Sequence, residues 1–175
     1  MREAPHPLEE LDLFGGLDPA ELEQIRRIAR QIEFGPGATL IREGEPCRAL
    51  YVLASGTVEV RKKILPGSTR QLAVLKAPTV VGEVGLLAGG ARSTALVRAR
   101  TRTRGYEIPR EAFVGLVEEG SLAALKVVYG LGRLLAERMA KTDDTIAQLV
   151  TRLEEGGDIQ GPEIFRDTLI QEWET

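Results

Sequence analysis

The spacing of apolar residues between positions 17 and 32 differs from that of the segment after it. Apolar residues recur here every three or four positions, which predicts an amphipathic helix with one buried face. They are Leu22, Ile25, Ile28, Ala29 and Ile32. Asp18 is a suitable N-cap, Pro19 stands at the first helical position and Glu21 completes the spacing of a capping box. A helix is therefore expected to precede the rest of the fold.

From about residue 32 to residue 108 the apolar positions alternate or form short β-branched runs. The six clearest runs are 38–43, 49–55, 57–63, 71–76, 93–99 and 103–108. Glycine and proline interrupt these runs at close intervals, as is typical of antiparallel strands joined by tight turns and not of βαβ units. With one or two shorter runs, the pattern predicts seven or eight strands.

Helical spacing returns after the strands. A short helix is expected at 109–120, between Pro109 and Gly120, and the longest helical pattern of the chain follows at 121–155. Its seam steps by three and four residues, which favours coiled-coil pairing with a second copy of the chain. The seam comprises Val128, Leu131, Leu135, Met139, Thr142, Ile146, Leu149 and Leu153.

The order of these elements predicts an α+β fold. Its centre is an antiparallel, jelly-roll-like β-roll of about eight short strands, flanked by an N-terminal helix, a short helix and a long C-terminal helix. The expected organisation is an arm at 1–12, the β-roll with its flanking helices at 13–120, a hinge and dimerisation helix at 121–155, and a tail at 156–175 in which Pro162 is a candidate helix start.

The charge of the chain and its cysteine content indicate which partners and which cellular compartment to expect. The chain has 23 basic and 26 acidic residues and a formal net charge of −3, so neither a membrane nor DNA is expected as a partner. The arginine-rich stretch 98–105 is expected to form a solvated outer face. Cys47 is the single cysteine, and no apolar run is long enough to cross a bilayer, which favours a soluble cytoplasmic protein.

Enzymatic chemistry has little support in the sequence. His6 is the only histidine and lies in the proline-containing arm, so no Ser/His/Asp set can be assembled. Cys47 has no histidine partner in the predicted fold, and no metal-ligand spacing is present. The chain is therefore predicted to be a non-enzyme, with no catalytic residues, no metal and no cofactor.

The stretch VGEVGLLAGGARSTALV at 81–97 contains the chemistry that a ligand could use. Gly82 and Glu83 close a strand, and the apolar residues after them are expected to form one helical turn with free backbone N–H groups. Arg92 offers a guanidinium suited to phosphate oxygens, and an ionised Glu83 can only accept hydrogen bonds. A phosphate beside a sugar hydroxyl would satisfy both side chains. A simple ion pair between Glu83 and Arg92 is the alternative.

This stretch resembles the phosphate-binding cassette of cyclic-nucleotide-binding domains, the family of catabolite-activator-type regulators, kinase regulatory subunits and gated channels. The matching residues are Val81, Gly82, Glu83, Val84, Leu86, Leu87 and Arg92. The resemblance extends over about residues 13–153, since the glycines of 34–60 fall at the family's expected turns. The fold of that family, a helix, an eight-stranded β-roll and two helices, has the element order predicted above.

The resemblance implies a role for each matching residue. Glu83 would bind the ribose 2′-hydroxyl and Arg92 the exocyclic phosphate oxygens, while Gly82 and Val84 would donate backbone N–H groups. Ser93 would also contact phosphate. Beyond the resemblance, Thr94 offers a second hydroxyl at the same rim.

The long helix of the family closes over the base, which makes two of its residues candidates here. Thr142 lies in 138–144, which resembles the base-contacting turn of the catabolite-activator type, where a threonine hydroxyl meets the adenine amino group. A tolerated threonine in a dimer seam is the alternative interpretation. Asp143 could instead accept hydrogen bonds from the ring N–H and the amino group of guanine.

The resulting hypothesis is a cyclic-nucleotide-binding sensor in signal transduction, with cAMP preferred to cGMP. Ligand would trap the long helix over the pocket, the chain would form a homodimer through that helix, and a downstream protein of unknown identity would receive the signal. One alternative is a scaffold of the same fold that binds no ligand and uses its tail, including Trp173, to hold a partner. Another is a transcription regulator of the catabolite-activator type that lacks its helix-turn-helix. No DNA-binding helix is expected after Gly156, because the residues there are acidic and include a single arginine.

Overall fold

The computed structural model describes Leu8 and residues 11–65, 67–89 and 91–154. The predicted tail at 156–175, and most of the predicted arm at 1–12, lie outside these described residues. The elements are α1 (Pro19–Ile28), β1 (Arg30–Phe34), β2 (Thr39–Ile41), β3 (Ala49–Ser55), β4 (Thr57–Leu65), β5 (Ser68–Lys76), β6 (Thr79–Val81), α2 (Glu83–Leu87), β7 (Leu96–Ala99), β8 (Thr103–Pro109), α3 (Arg110–Glu118) and α4 (Leu122–Glu154).

The strands form two antiparallel sheets of four strands each. One sheet has the order β1-β8-β3-β6 and the other has the order β2-β7-β4-β5. Every strand pair is antiparallel. The predicted α+β class and the β-roll with flanking helices are therefore confirmed.

The start of α1 follows the predicted signals, and its end does not. The Asp18 side chain accepts hydrogen bonds from the backbone N–H groups of Ala20 and Glu21, and the Glu21 carboxylate accepts one from the Asp18 N–H. The helix ends at Ile28, four residues before the predicted end. Ile32 lies instead in β1, where it pairs with Gly105 of β8, because strand pairing outweighs the helical spacing there.

Two apolar cores hold the fold together. The first lies between the helices and the β1-β8-β3-β6 sheet, and it includes Phe113 of α3 and Val127 and Leu131 of α4. Leu8, from the predicted arm, is fully buried in it. The second lies inside the β-roll around Val58, Leu53 and Val97. The first core attaches α4 to the roll, and the second shapes the interior of the roll.

Helix α4 exposes a different apolar seam from the predicted one. The predicted seam begins on the side of α4 that faces the core and ends on the side that faces solvent, since Leu131 is fully buried while Met139 and Ile146 are exposed. The structure does not describe the side chains of Leu149 and of residues 152–154. An exposed set keeps strict steps of three and four residues, and we call it the α4 seam. It comprises Leu122, Leu125, Tyr129, Gly132, Ala136, Met139, Asp143, Ile146 and Val150.

The arginine-rich stretch is exposed, as the alternating pattern indicated. Arg98, Arg100, Arg102 and Arg104 are all solvent-exposed. Arg104 hydrogen-bonds Glu33 at 2.7 Å and Arg102 lies 3.3 Å from the same carboxylate. The hydrogen bond from Arg104 is the main cause that lowers the pKa of Glu33. Among the residues that the structure describes, no helix combines the length and the apolar character needed to span a bilayer.

Candidate functional site

A cavity of about 450 Å³ lies between the β-roll and the middle of α4. Its floor comes from strands, including Ile41, Val60 and Val97, and its rim comes from α2 and from α4. The lining is mainly apolar with a few convergent polar groups, which is the usual composition of a small-molecule site. The volume falls in the range of about 300–1,000 Å³ that such sites have.

Gly82 sets the geometry of the rim at α2. It is the N-cap of α2 with a φ of +93°, a conformation that side chains other than glycine rarely adopt. A Cβ at this position would lie 2.5 Å from the carbonyl oxygen of Ala49. Because the first amides of a helix have no carbonyl one turn earlier, the N–H groups at the start of α2 are available to an acceptor in the cavity.

Gly85 lets α2 lie directly on the Cys47 side chain. A Cβ at Gly85 would be 2.0 Å from the Cβ of Cys47 and 2.7 Å from its Sγ. Cys47 is buried, lines the cavity and donates from Sγ to the carbonyl of Ala49 at 3.4 Å. The close contact holds α2 against the residues just before β3 and thereby fixes the rim.

We expect Gly85→Ala to lower the free energy of unfolding by about 1–3 kcal/mol, the usual cost of overpacking a core contact. The added methyl meets the Cys47 Cβ, which can move only with its backbone. Urea denaturation measures the change. Gly115→Ala in α3 is the matched control, since a Cβ there meets nothing within 4 Å. The control should gain stability by about 0.5–1 kcal/mol, and an equal gain at Gly85 would contradict the close contact.

Glu83 pairs with Arg138 of α4 and not with Arg92. The Arg138 guanidinium donates from Nη1 to Glu83 Oε1, in a short contact, and from Nη2 to the carbonyl of Val80 at 3.1 Å. Both side chains are largely buried, with 17% of Arg138 and 10% of Glu83 exposed. This pair ties the middle of α4 to the rim of the cavity.

Arg92 points away from the shared cavity. Its Nη1 donates to the carbonyl of Gly44 at 2.6 Å, and the residue is exposed. Its neighbours Ser93 and Thr94 do line the cavity. The backbone around Arg92 is held in place because the Ser93 N–H donates to the Glu45 carbonyl at 2.8 Å. Arg92 thus lies next in sequence to two residues of the cavity lining, while its own side chain is bound to the Gly44 carbonyl.

Thr142 and Asp143 line the cavity from α4. The Thr142 hydroxyl donates to the carbonyl of Arg138 at 2.9 Å, so its oxygen is left as an acceptor. The Asp143 carboxylate is exposed and can only accept when ionised. The α4 wall therefore presents acceptors to groups that carry N–H donors, such as the amino group of a nucleobase.

The structure brings seven of the eight predicted site residues to one cavity. These are Gly82, Glu83, Val84, Ser93, Thr94, Thr142 and Asp143, and Arg92 is the exception. Sequence reasoning missed Arg138 and the contribution of Cys47. Arg138 stands four residues before Thr142, and the signal that could have found it is that this spacing puts both on one face of a helix.

Comparisons with known proteins agree on one family. Residues 31–119 match the family model described as the cyclic nucleotide-binding domain. The CRP-like cAMP-activated global transcriptional regulator of Mycobacterium tuberculosis is 24% identical over 79% of this chain and 59% of its own length. The cyclic AMP receptor protein of Thermus thermophilus is 31% identical over 75% of this chain and 58% of its own length.

A solved structure shows the same architecture. The crystal structure of the Thermus thermophilus catabolite activator protein superposes with a TM-score of 0.67 and 30% identity, covering 79% of this chain and 62% of that one. This chain thus spans less than two thirds of the length of these regulators.

Proposed function

This chain belongs to the cyclic nucleotide-binding domain family, and we propose on that premise that it is a cytoplasmic sensor of a cyclic nucleotide, with cAMP preferred to cGMP. The observation that carries the proposal is that one cavity of about 450 Å³ gathers seven of the eight predicted ligand residues. The preference for cAMP is supported by two relatives whose names include cAMP or cyclic AMP. The single cysteine suits a reducing compartment.

The phosphate would lie at the rim formed by α2 and the residues after Arg92. Glu83 and Val84 at the start of α2, together with Ser93 and Thr94, belong to the lining of the cavity, so their backbone N–H groups and hydroxyls are the donors proposed for the phosphate. Arg92 would leave the Gly44 carbonyl and bind the phosphate oxygens, since an anionic acceptor makes a stronger hydrogen bond than a neutral one. Bound ligand would thus recruit the one predicted residue that does not line the cavity.

The ribose would share the Glu83 carboxylate with Arg138. Glu83 has two oxygens, and Arg138 donates to Oε1, so Oε2 can accept from a sugar hydroxyl. The base would then meet Thr142 and Asp143 on the next turn of α4. Because the ligand contacts both the roll and α4, it would bind best to the arrangement in which α4 covers the cavity, and so trap it there.

Calorimetry with cAMP, with cGMP and with 5′-AMP tests this function. Saturable binding of a cyclic nucleotide is expected, with cAMP tighter than cGMP, and it should raise the melting temperature by mass action. The linear 5′-AMP carries an extra phosphate charge and serves as the control for general nucleotide affinity. Absence of binding by both cyclic nucleotides, with the fold intact, would refute the sensor and favour the scaffold without a ligand.

Pairing of two chains through the α4 seam is the second part of the proposal. The seam exposes large apolar side chains, including 72% of Tyr129, 66% of Met139 and 59% of Leu122. Alternating steps of three and four residues are the heptad pattern of a coiled coil. Met139 and Asp143 belong both to the seam and to the cavity lining, so a second copy would lie beside the ligand.

We expect the double variant Leu125→Asp and Tyr129→Asp to raise the dimer dissociation constant by roughly 100-fold or more. Each large apolar side chain contributes about 1.5–3 kcal/mol when buried, and the new carboxylates would repel across the pair. Sedimentation velocity over a dilution series measures the effect. Ala147→Asp, exposed on the same helix but off the seam, is the control and should leave the dimer intact. A wild-type chain that is monomeric at every concentration would rule out the pairing.

A further inference from the structure

The β4–β5 hairpin ends in an exposed apolar tip. Beyond Val60 and Leu72, which line the cavity, β4 continues to Leu65 and β5 begins at Ser68. Leu72 is a bulge residue, since the register changes from Val60 opposite Ala73 to Arg61 opposite Gln71. At the tip, 54% of Ile64 and 66% of Leu65 are exposed. Two adjacent aliphatic side chains therefore lie in water at a projecting end of the roll.

Basic side chains predominate near this tip. Four of them lie on the half of the hairpin next to the turn, and no acidic residue lies between positions 60 and 77: the four are Arg61, Lys62, Lys63 and Arg70. Arg61 lies 3.5 Å from Glu59 of the same strand. Lys62 and Arg70 are direct cross-strand partners. Like charges in that position destabilise a hairpin, so the arrangement favours an anionic partner that would neutralise them. The backbone N–H of Lys63 donates to Glu43 at 2.9 Å, which holds this part of the hairpin to the residues after β2.

We propose that this hairpin tip is the docking site for residues 158–175 of the same chain. That segment contains five acidic residues and a single basic one, Arg166: its acids are Asp158, Glu163, Asp167, Glu172 and Glu174. It also contains apolar residues at spacings that can share one face of a helix after Pro162: Ile164, Phe165, Leu169, Ile170 and Trp173. Its charge and its apolar content both complement those of the tip.

The chain is long enough to make this contact. Asp143 of α4 and Val60 of β4 line the same cavity. From Asp143 to the end of α4 at Glu154 is about 16 Å, at 1.5 Å per helical residue. From Val60 to Leu65 is about 17 Å, at about 3.3 Å per strand residue. The eight residues from Glu154 to Pro162 can span up to roughly 27 Å when extended, and the eleven from Pro162 to Trp173 span about 16 Å as a helix. Their sum exceeds both distances together.

The other exposed apolar surface is a poorer match for the same segment. The α4 seam contains the carboxylate of Asp143 and none of the arginine or lysine residues of α4. An acidic segment would meet an acidic side chain there, whereas the hairpin offers cations on both strands. Charge therefore selects the hairpin tip between the two surfaces.

Trp173 is the only tryptophan of the chain, so its fluorescence reports on this segment alone. In the full chain, we expect emission at a shorter wavelength than in a synthetic peptide of residues 158–175, and lower accessibility to acrylamide. Raising the salt concentration should shift the emission towards that of the peptide, because screening weakens the attraction between exposed charges. The double variant Lys62→Glu and Arg70→Glu should produce the same shift at low salt.

The control is the double variant Arg27→Glu and Arg133→Glu, which makes the same change in charge at exposed helix positions. It should leave the emission unchanged, and replacing Ile64 and Leu65 by serine should shift it. Emission equal to that of the peptide in the unaltered chain would overturn the proposal. So would a blue shift that the hairpin variants do not change, or one that grows with protein concentration, which would indicate contact between copies. None of these readouts depends on cyclic-nucleotide binding.

Discussion

Arg92→Ala is expected to weaken cyclic-nucleotide binding by about 2–5 kcal/mol, or roughly 30-fold to several thousand-fold in the dissociation constant. The bound phosphate would lie against the rim of a mainly apolar cavity, where loss of the guanidinium leaves the anion short of its principal cation. In the structure Arg92 is exposed and donates a hydrogen bond to the Gly44 carbonyl. The substitution should therefore cost much affinity and little stability. Isothermal titration calorimetry and urea denaturation measure the two effects separately.

Arg98→Ala is a close control for that experiment. Arg98 is also exposed and also donates to a glycine carbonyl, that of Gly37, at 2.9 Å. Its loss removes the same type of hydrogen bond at a residue of β7 to which the proposal assigns no ligand contact. We expect Arg98→Ala to leave cyclic-nucleotide affinity within twofold or so of the parent. If both variants bound the ligand as tightly as the parent, Arg92 would not be the phosphate ligand.

Arg138→Gln should lower the free energy of unfolding by about 3 kcal/mol, at the low end of the range for removing one partner of a buried ion pair. The low end applies because 17% of the Arg138 side chain is exposed. The variant leaves the largely buried Glu83 carboxylate without its cation and breaks the hydrogen bond to the Val80 carbonyl. It also cuts the tie between α4 and the rim of the cavity. Urea denaturation at neutral pH measures the change.

Two further variants separate the ion pair from general effects on α4. Arg133→Gln makes the same substitution on the same helix, where Arg133 is 69% exposed and lies 3.9 Å from Glu137. A surface pair of this kind contributes about 0–1 kcal/mol, so we expect a small change. Glu83→Gln combined with Arg138→Gln should be more stable than Arg138→Gln alone, because no unpaired charge remains. Equal losses for Arg133→Gln and Arg138→Gln would show that the Glu83 contact does not stabilise the fold.

Local patterns were enough to predict most of the elements. Alternation and turn residues predicted the strands of the roll, and the capping box at Asp18 predicted where α1 begins. The predicted end of α1 was wrong. Ile32 fits the helical spacing, but it fits equally well as a strand residue opposite Gly105. Pairing with β8 places Ile32 in a strand, and the sequence near Ile32 contains no information about a strand more than 70 residues away.

The α4 seam shows the same limit on a helix face. Residues with steps of three and four occur on more than one face of α4, so spacing alone could not tell the face against the core from the face in solvent. Leu131 is fully buried by the helices and the sheet beneath it, whereas Tyr129 is 72% exposed. Only the position of α4 on the roll decides which apolar residues remain for a partner.

The sequence by itself determined the order of helices and strands and the chemistry of the 81–97 stretch, because turn residues, caps and hydrogen-bonding groups act over a few neighbouring positions. The tertiary structure alone decided that Glu83 pairs with Arg138, that Arg92 holds the Gly44 carbonyl and that α2 lies on Cys47. Each of these contacts joins residues 38 to 55 positions apart. Which partner a charged side chain meets over such separations depends on how the sheets and α4 pack, and this packing places the polar rim over the apolar cavity.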